Sequence, residues 1–265
     1  MKEEYLPFDG LAKNEFAEGN VGQLQFVKEA AGKLRVFAMV DCLTQTILHP
    51  LHKLLSSVLK SLPNDGTADQ ESSYRRARQK SIQYGCSFGY DLSSATDRLP
   101  IDLQVSIIAG LLLSCGLSPK DSKELANLWK LILVQRSYAV PLLPKGVEDP
   151  QDLQCSGVHY SVGQPMGALS SFNMLALTHH MILQMCAREI GLIKITNNSM
   201  WCDLYEITGD DVVIFNSKLA SSYVKTMELL GLEINQKKSV VSLKTPAGEY
   251  LKKTWFNDFD YSQIS

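Results

Sequence analysis

The chain is short of basic charge. Its 265 residues carry 26 Lys and Arg against 28 Asp and Glu, a formal net charge of −2, which argues against binding polyanions through bulk positive charge and leaves that task to local clusters. Two clusters exist: Arg75, Arg76, Arg78 and Lys80 form one, and Lys237, Lys238, Lys244, Lys252 and Lys253 thicken the C-terminal end. Ordinary solvated basic faces would look the same. Cysteine pairing is missing as well. The six cysteines, at 42, 86, 115, 155, 186 and 202, form no Cys-x-x-Cys pair and no regular framework, which removes the case for a zinc site or a disulfide scaffold and points to a reducing compartment. No long apolar run occurs either: Ile107 to Leu113 falls far short of the roughly 20 residues a bilayer span needs. The acidic start Met1-Lys2-Glu3-Glu4 is neither a signal peptide nor an Arg-rich transit peptide, so an organellar location would imply synthesis in place. Internal repeats and low-complexity linkers are absent too. What is present is 45% hydrophobic content, enough for one large or two small domains with a true core.

Residues 1–30 are polar with weak periodicity and read as loops or a frayed lead-in, and Lys33 to Val40 reads as a strand. A helix over about 44–60 has Pro50 in its first turns and ends at the turn-rich Pro63-Asn64-Asp65-Gly66-Thr67. Pro100 suits the first helical position of a segment running to Cys115 and stopped by Gly116, and Ser118-Pro119-Lys120-Asp121 opens another reaching about Gln135. Residues 136–162 alternate like two strands around a loop at 145–150. Gly163 and Gly167 bracket a short loop before a long helix, about 168–190, ended by Gly191. A hairpin follows, then a helix over 217–230, a strand at Leu232-Glu233-Ile234 and a last β segment around Tyr250 to Trp255. This order predicts an α+β fold with helices covering one face of a small antiparallel sheet.

The hairpin carries the strongest chemical signal. Gly209-Asp210-Asp211 lies between Leu204-Tyr205-Glu206-Ile207-Thr208 and Val212-Val213-Ile214-Phe215; burying unpaired carboxylates is costly, so acids at such a tip want a cation. Upstream, Phe88-Gly89-Tyr90-Asp91 puts another acid at the end of a short aromatic-rich strand. Three carboxylates at strand ends are what a two-metal phosphoryl-transfer site requires; a surface turn plus a capping Asp is the plainer alternative. Lys33 and Arg35 stand two apart on one predicted strand, so their side chains share a face and can approach one triphosphate, or else form an exposed basic edge. His49 and His52 have helical spacing and His179 and His180 adjoin, but neither pair has a second pair nearby, so all four read as packing or surface groups rather than zinc ligands.

Taken together, six blocks resemble the palm region of a viral RNA-dependent RNA polymerase of the mitovirus and narnavirus group. They are Gly32 to Asp41, Leu62 to Thr67, Asp91-Leu92-Ser93-Ser94-Ala95-Thr96-Asp97-Arg98, Gly163-Gln164-Pro165-Met166-Gly167, Thr208-Gly209-Asp210-Asp211 and Gln236-Lys237-Lys238-Ser239. They occur in the family's order and cover about residues 20–265.

The resemblance implies a right-hand polymerase palm with part of the fingers and no thumb. Residues 1–90 would be partial fingers with a nucleotide-binding strand, and 91–265 the palm with a fingers segment inserted at about 116–160. Asp91 and Asp210 would coordinate two Mg²⁺ ions, replaceable by Mn²⁺, with Asp211 beside them. Lys33 and Arg35 would hold the incoming nucleotide, and Asp97 would sense the ribose 2′-hydroxyl, supported by Ser170, Ser171 and Asn173. Gly163 and Gly167 would let the backbone approach the template or nascent pair. Lys237 or Lys238 would be the general acid for departing pyrophosphate, and Gly248 to Trp255, with Lys252 and Lys253, would form the primer-grip hairpin on RNA. Partners are then an RNA template-primer and ribonucleoside triphosphates, in a mitochondrion, since similar short reading frames lodge in plant mitochondrial genomes. The rivals are an inactive RNA-binding relic and a reverse transcriptase, against which Thr208-Gly209 and Asp97 argue.

Overall fold

The computed structural model describes residues 22–28, 34–140, 157–193 and 201–262. Along the chain the elements are β1 (Gly22–Lys28), β2 (Leu34–Val40), α1 (Cys42–Ser61), α2 (Gln70–Tyr84), β3 (Ser87–Tyr90), the single turn α3 (Ala95–Arg98), α4 (Ile101–Ser114), α5 (Pro119–Val134) and β4 (Tyr138–Ala139). Then come α6 (Ser171–Glu189), β5 (Tyr205–Thr208), β6 (Asp211–Ile214), α7 (Ser217–Leu229), β7 (Val240–Ser242), β8 (Ala247–Tyr250), β9 (Lys253–Phe256) and β10 (Phe259–Asp260).

The central sheet is antiparallel throughout, in the order β5-β6-β3-β7. After Asp211, strand β6 and the residue that follows it, Val212 to Phe215, are apolar without alternation because both faces are buried. Val212 and Ile214 face one core, closed by Leu175, Leu183 and Cys186 of α6 and Leu219 and Tyr223 of α7. Val213 and Phe215 face another, closed by Tyr74 and Ala77 of α2 and by Tyr250 and Trp255 of the β8-β9 hairpin. The α+β palm architecture is as expected, except that the sheet is covered on both faces rather than one. A second region packs Leu48 and Leu55 of α1, Ile108 of α4, Trp129 and Leu133 of α5 and Met174 of α6 into one core. The small sheet β2-β1-β4 belongs to it.

Several expectations need correction. The lead-in contains β1, fully paired antiparallel with β2 from Gly22 opposite Val40 to Lys28 opposite Leu34. Pro50 sits in the middle of α1, not its first turns. Helix α2, unforeseen, occupies the stretch read only as a basic cluster. Pro100 caps α4 from outside, with Ile101 the first helical residue. Of the two strands expected in 136–162, only β4 and a bridge from Tyr138 to Val158 fall within the described residues. Residues 232–234 contribute a single bridge, Ile234 to Leu92. Strand β3 lies inside the central sheet, and Asp65 bridges to Ile207 on its edge.

Candidate functional site

Thr208 pairs with Asp211, so Gly209 and Asp210 alone form the turn of the β5-β6 hairpin. Gly209 takes the first turn position at φ +65°, and a Cβ there would lie 2.4 Å from the Phe172 ring; the turn therefore demands glycine. On the next strand Tyr90 pairs with Val212, so one step further Asp91 comes beside Asp211. The electrostatics agree with that register. Burial first, and then the charges of Asp210 and Asp91, push the Asp211 carboxyl up to about 6, while Lys252 pulls the other way. Asp210 is exposed at the tip. Among the described residues no three His, Cys, Asp or Glu side chains close into a ready cage; these three acids are strand-end neighbours that repel one another. Hard carboxylate oxygens on one exposed and two half-buried side chains fit a hard divalent cation that keeps part of its water.

The backbone around Asp91 is fixed by a turn. Its carbonyl accepts from the Asn235 amide at 2.8 Å, and its own amide donates to Ser239 Oγ at 3.3 Å. Lys237 and Lys238 lie inside that Asn235-to-Ser239 turn, both with exposed side chains. Lys252 sits in the β8-β9 turn at φ +58°, following Leu251 at φ +56°.

Asp97 is half-buried on α3 and hydrogen-bonds the Tyr160 hydroxyl. Burial lifts its pKa and the Tyr160 hydrogen bond lowers it. Ser170 and Asn173 do not support it. Ser170 is buried and accepts from Trp129 Nε1 at 3.0 Å, while Asn173 donates to Ser56 Oγ at 2.7 Å and the His52 carbonyl at 3.3 Å. Ser171 turns back to the Pro165 carbonyl at 2.6 Å. These side chains tie α6 to its neighbours because a helix start buried between two others must satisfy its polar groups internally. Gly163 does permit a close approach, but to protein: a Cβ would lie 2.3 Å from the Thr96 carbonyl oxygen. Gly167, at φ +123°, approaches Ala38 of β2 in the same way. Lys253 is turned onto α2, ion-paired with Glu71 at 2.5 Å and 5.1 Å over the Tyr74 ring. Arg35 is on β2 with an exposed side chain, and Lys33 lies outside the described residues.

Residues missed in the sequence hold the hairpin from behind. Glu206 is fully buried and accepts from Arg76 at 2.9 Å, Lys80 at 2.8 Å and Ser73 at 2.8 Å, so the supposed basic cluster spends two of its charges inside the fold. Thr208 Oγ1 meets Tyr250 Oη at 2.8 Å on the same face. On the opposite face His179 places Nδ1 3.0 Å from the Gly209 carbonyl and Nε2 2.7 Å from the Tyr223 hydroxyl. Only the adjacent histidines and the acid inside an apolar strand hinted at any of this.

Comparison with known proteins fits this geometry. The family described as Mitovirus RNA-dependent RNA polymerase matches residues 5–265. The RNA-directed RNA polymerase of Cryphonectria parasitica mitovirus 1 is 39% identical over 242 residues, which is 91% of this chain and 26% of that protein. The chain thus spans about a quarter of that viral relative's length. Two uncharacterized mitochondrial proteins of Arabidopsis thaliana are 29% and 27% identical over 75% and 70% of this chain, and over 70% and 79% of their own lengths. Among solved structures, apo telomerase from Candida tropicalis truncated from its C-terminal domain shares the fold at TM-score 0.61, with 11% identity over 91% of this chain and 55% of that one. Telomerase from Candida albicans, in complex with a fragment of telomeric RNA, does so at TM-score 0.60 and 12% identity, over 96% of this chain and 47% of that one. With the family match running almost end to end over a palm sheet whose acids meet at its strand ends, this chain belongs to the mitovirus RNA-dependent RNA polymerase family.

Proposed function

We propose that the chain carries the nucleotidyl-transfer centre of an RNA-directed RNA polymerase, with Asp91, Asp210 and Asp211 holding two Mg²⁺ ions that Mn²⁺ can replace. The observation that carries this reading is the register that brings Asp91, Asp210 and Asp211 together at adjoining strand ends, where burial first and then the charges of Asp210 and Asp91 raise the Asp211 carboxyl, a strain that a cation relieves. When bound, the cations would activate the primer 3′-hydroxyl and neutralise charge on the transferred phosphoryl group. The rest falls to the chain's own side chains. Lys237 or Lys238, on the turn bonded to Asp91, would deliver a proton to pyrophosphate. Asp97, held by Tyr160, would accept from the ribose 2′-hydroxyl. Arg35, with Lys33, would meet the triphosphate, and Lys252 beside the acids would meet RNA phosphate. Template-primer RNA and ribonucleotides are then the substrates, and the mitochondrial relatives in Arabidopsis support action in that organelle.

The test is extension of a primed RNA template by the purified chain with Mg²⁺ and ribonucleotides. Extension that Asp210→Asn abolishes, and that deoxyribonucleotides do not support, is the expected result. Wild-type chain that extends nothing, or an Asp210→Asn variant that extends equally, overturns the reading. A second reading is an RNA-binding remnant of such a polymerase without catalysis. Its signature is RNA affinity indifferent to Asp91→Asn and no extension.

A further inference from the structure

We infer that His179 is a positioning residue for the acid-bearing turn: its imidazole, braced by Tyr223, anchors the Gly209 carbonyl and so sets where Asp210 and Asp211 present their carboxylates. The inference rests on the cation-binding reading above and deepens it.

The geometry starts from an obligation. Gly209 is buried, and its carbonyl, turned toward α6, needs a donor. His179, in the middle of α6 and 1% exposed, supplies one through Nδ1 at 3.0 Å. Because a carbonyl only accepts, Nδ1 must carry the hydrogen. Nε2 is then the acceptor of a neutral ring and accepts a hydrogen bond from the Tyr223 hydroxyl at 2.7 Å. Burial holds the His179 pKa down at about 4, which keeps the ring in that neutral form. Tyr223 is itself fully buried on α7 and stacks on His179 with ring centroids 5.6 Å apart.

The bridge does not end there. Tyr223 also stacks on Tyr90, centroids 5.8 Å apart and planes 23° from parallel, and Tyr90 immediately precedes Asp91. One continuous set of rings, buried at His179 and Tyr223 and half-buried at Tyr90, therefore joins the hairpin turn to the strand end that bears the third acid. The two ends of the acid cluster lie on different strands, and this link fixes them relative to each other independently of any ion. His180, next in sequence, faces elsewhere and bonds Tyr205 and Asp65 at 3.0 Å each, so the role belongs to one histidine of the pair.

The test measures Mn²⁺ binding to the full chain by electron paramagnetic resonance, with thermal melts to establish folding, for wild type, His179→Leu, His179→Asn, Tyr223→Phe and Asp210→Asn. His179→Leu leaves the Gly209 carbonyl unpaired and is expected to weaken Mn²⁺ binding about tenfold, the scale of a lost buried hydrogen bond. His179→Asn, whose side-chain amide can donate from nearly the place of Nδ1, is expected to recover most of that loss. Tyr223→Phe is expected to weaken binding by about threefold. In the extension assay the loss should fall on kcat and on the Mg²⁺ requirement, with KM for nucleotide unchanged. Folded His179→Leu or Tyr223→Phe with wild-type Mn²⁺ affinity overturns the positioning role. If His179→Leu does not fold, Tyr223→Phe decides by the same criterion. Wild type that binds no more Mn²⁺ than Asp210→Asn overturns the cation reading itself, and the positioning role with it.

Discussion

Gly66 has no room for a side chain. A Cβ there would lie 2.2 Å from Thr208 Oγ1 and 2.7 Å from Ser73 Oγ, and the Gly66 amide donates to the Ile207 carbonyl at 2.7 Å. Gly66→Ala is expected to lower unfolding stability by about 1–3 kcal/mol, the usual cost of overpacking, read as a lower urea midpoint at unchanged slope. At this scale the sequence tells most where a residue contradicts its surroundings. Asp210 and Asp211 are legible because acids in an apolar hairpin have no packing reason to be there. Ser170 and Asn173 are not, because the same polar side chains serve equally to bind a ligand or to pin one helix to another, and their partners on α5 and α1 lie 41 and 117 residues away.

At the scale of elements, α2 is held to β5 by a buried ionic cluster. Glu206 has no exposure, and the Arg76 and Lys80 side chains keep 33% and 11% of theirs. Removing the acid's charge leaves Arg76 and Lys80 without their buried counter-ion, Lys80 keeping only Asp203 at 2.5 Å. Glu206→Gln is expected to cost about 3–5 kcal/mol of stability, measurable by denaturant titration, whereas Arg75→Gln, on an exposed side chain, should change it by less than about 0.5 kcal/mol. Helix α2 escaped the sequence reading because Gln70 to Tyr84 has little apolar periodicity: its inward face is Ser73, Tyr74, Ala77, Lys80 and Ser81, and charge pairing replaces hydrophobic burial on it. Strand β1 escaped because its residues are mostly half-exposed and its partner β2 supplies the apolar side. Helices α4, α5, α6 and α7 were legible from caps and stops such as Ser118, Gly116, Gly191 and Gly231, since those residues mark chain reversal whatever the tertiary context.

For the whole molecule, stability depends on pH through two buried groups of opposite sense. Folding raises the Asp211 pKa from 3.8 to about 6, so the folded chain keeps a proton that the unfolded chain gives up. That contribution is present at low pH and is lost as pH rises through about 6. Folding lowers the His179 pKa from 6.5 to about 4, so its contribution is present above 6.5 and is lost as pH falls through about 4. The two oppose each other across the same window. Asp211→Asn removes the first and should leave a chain that loses stability more steeply than wild type on acidification below about 6.5, followed by melting temperature against pH. Saturating Mg²⁺ should raise the melting temperature of the wild type by about 2–4 °C near neutral pH and by nothing near pH 4.5, where Asp211 stays protonated.

Strand β6 is wedged between two cores, Val212 and Ile214 in one and Val213 and Phe215 in the other. Sliding it by a single residue would turn each of these side chains into the wrong layer. A gene drifting without selection therefore cannot lose or gain a codon here and still yield a quietly inert protein. The product of such a codon change would fail to accumulate, so the abundance of the polypeptide in the cell reports whether this strand is still in frame with its two layers.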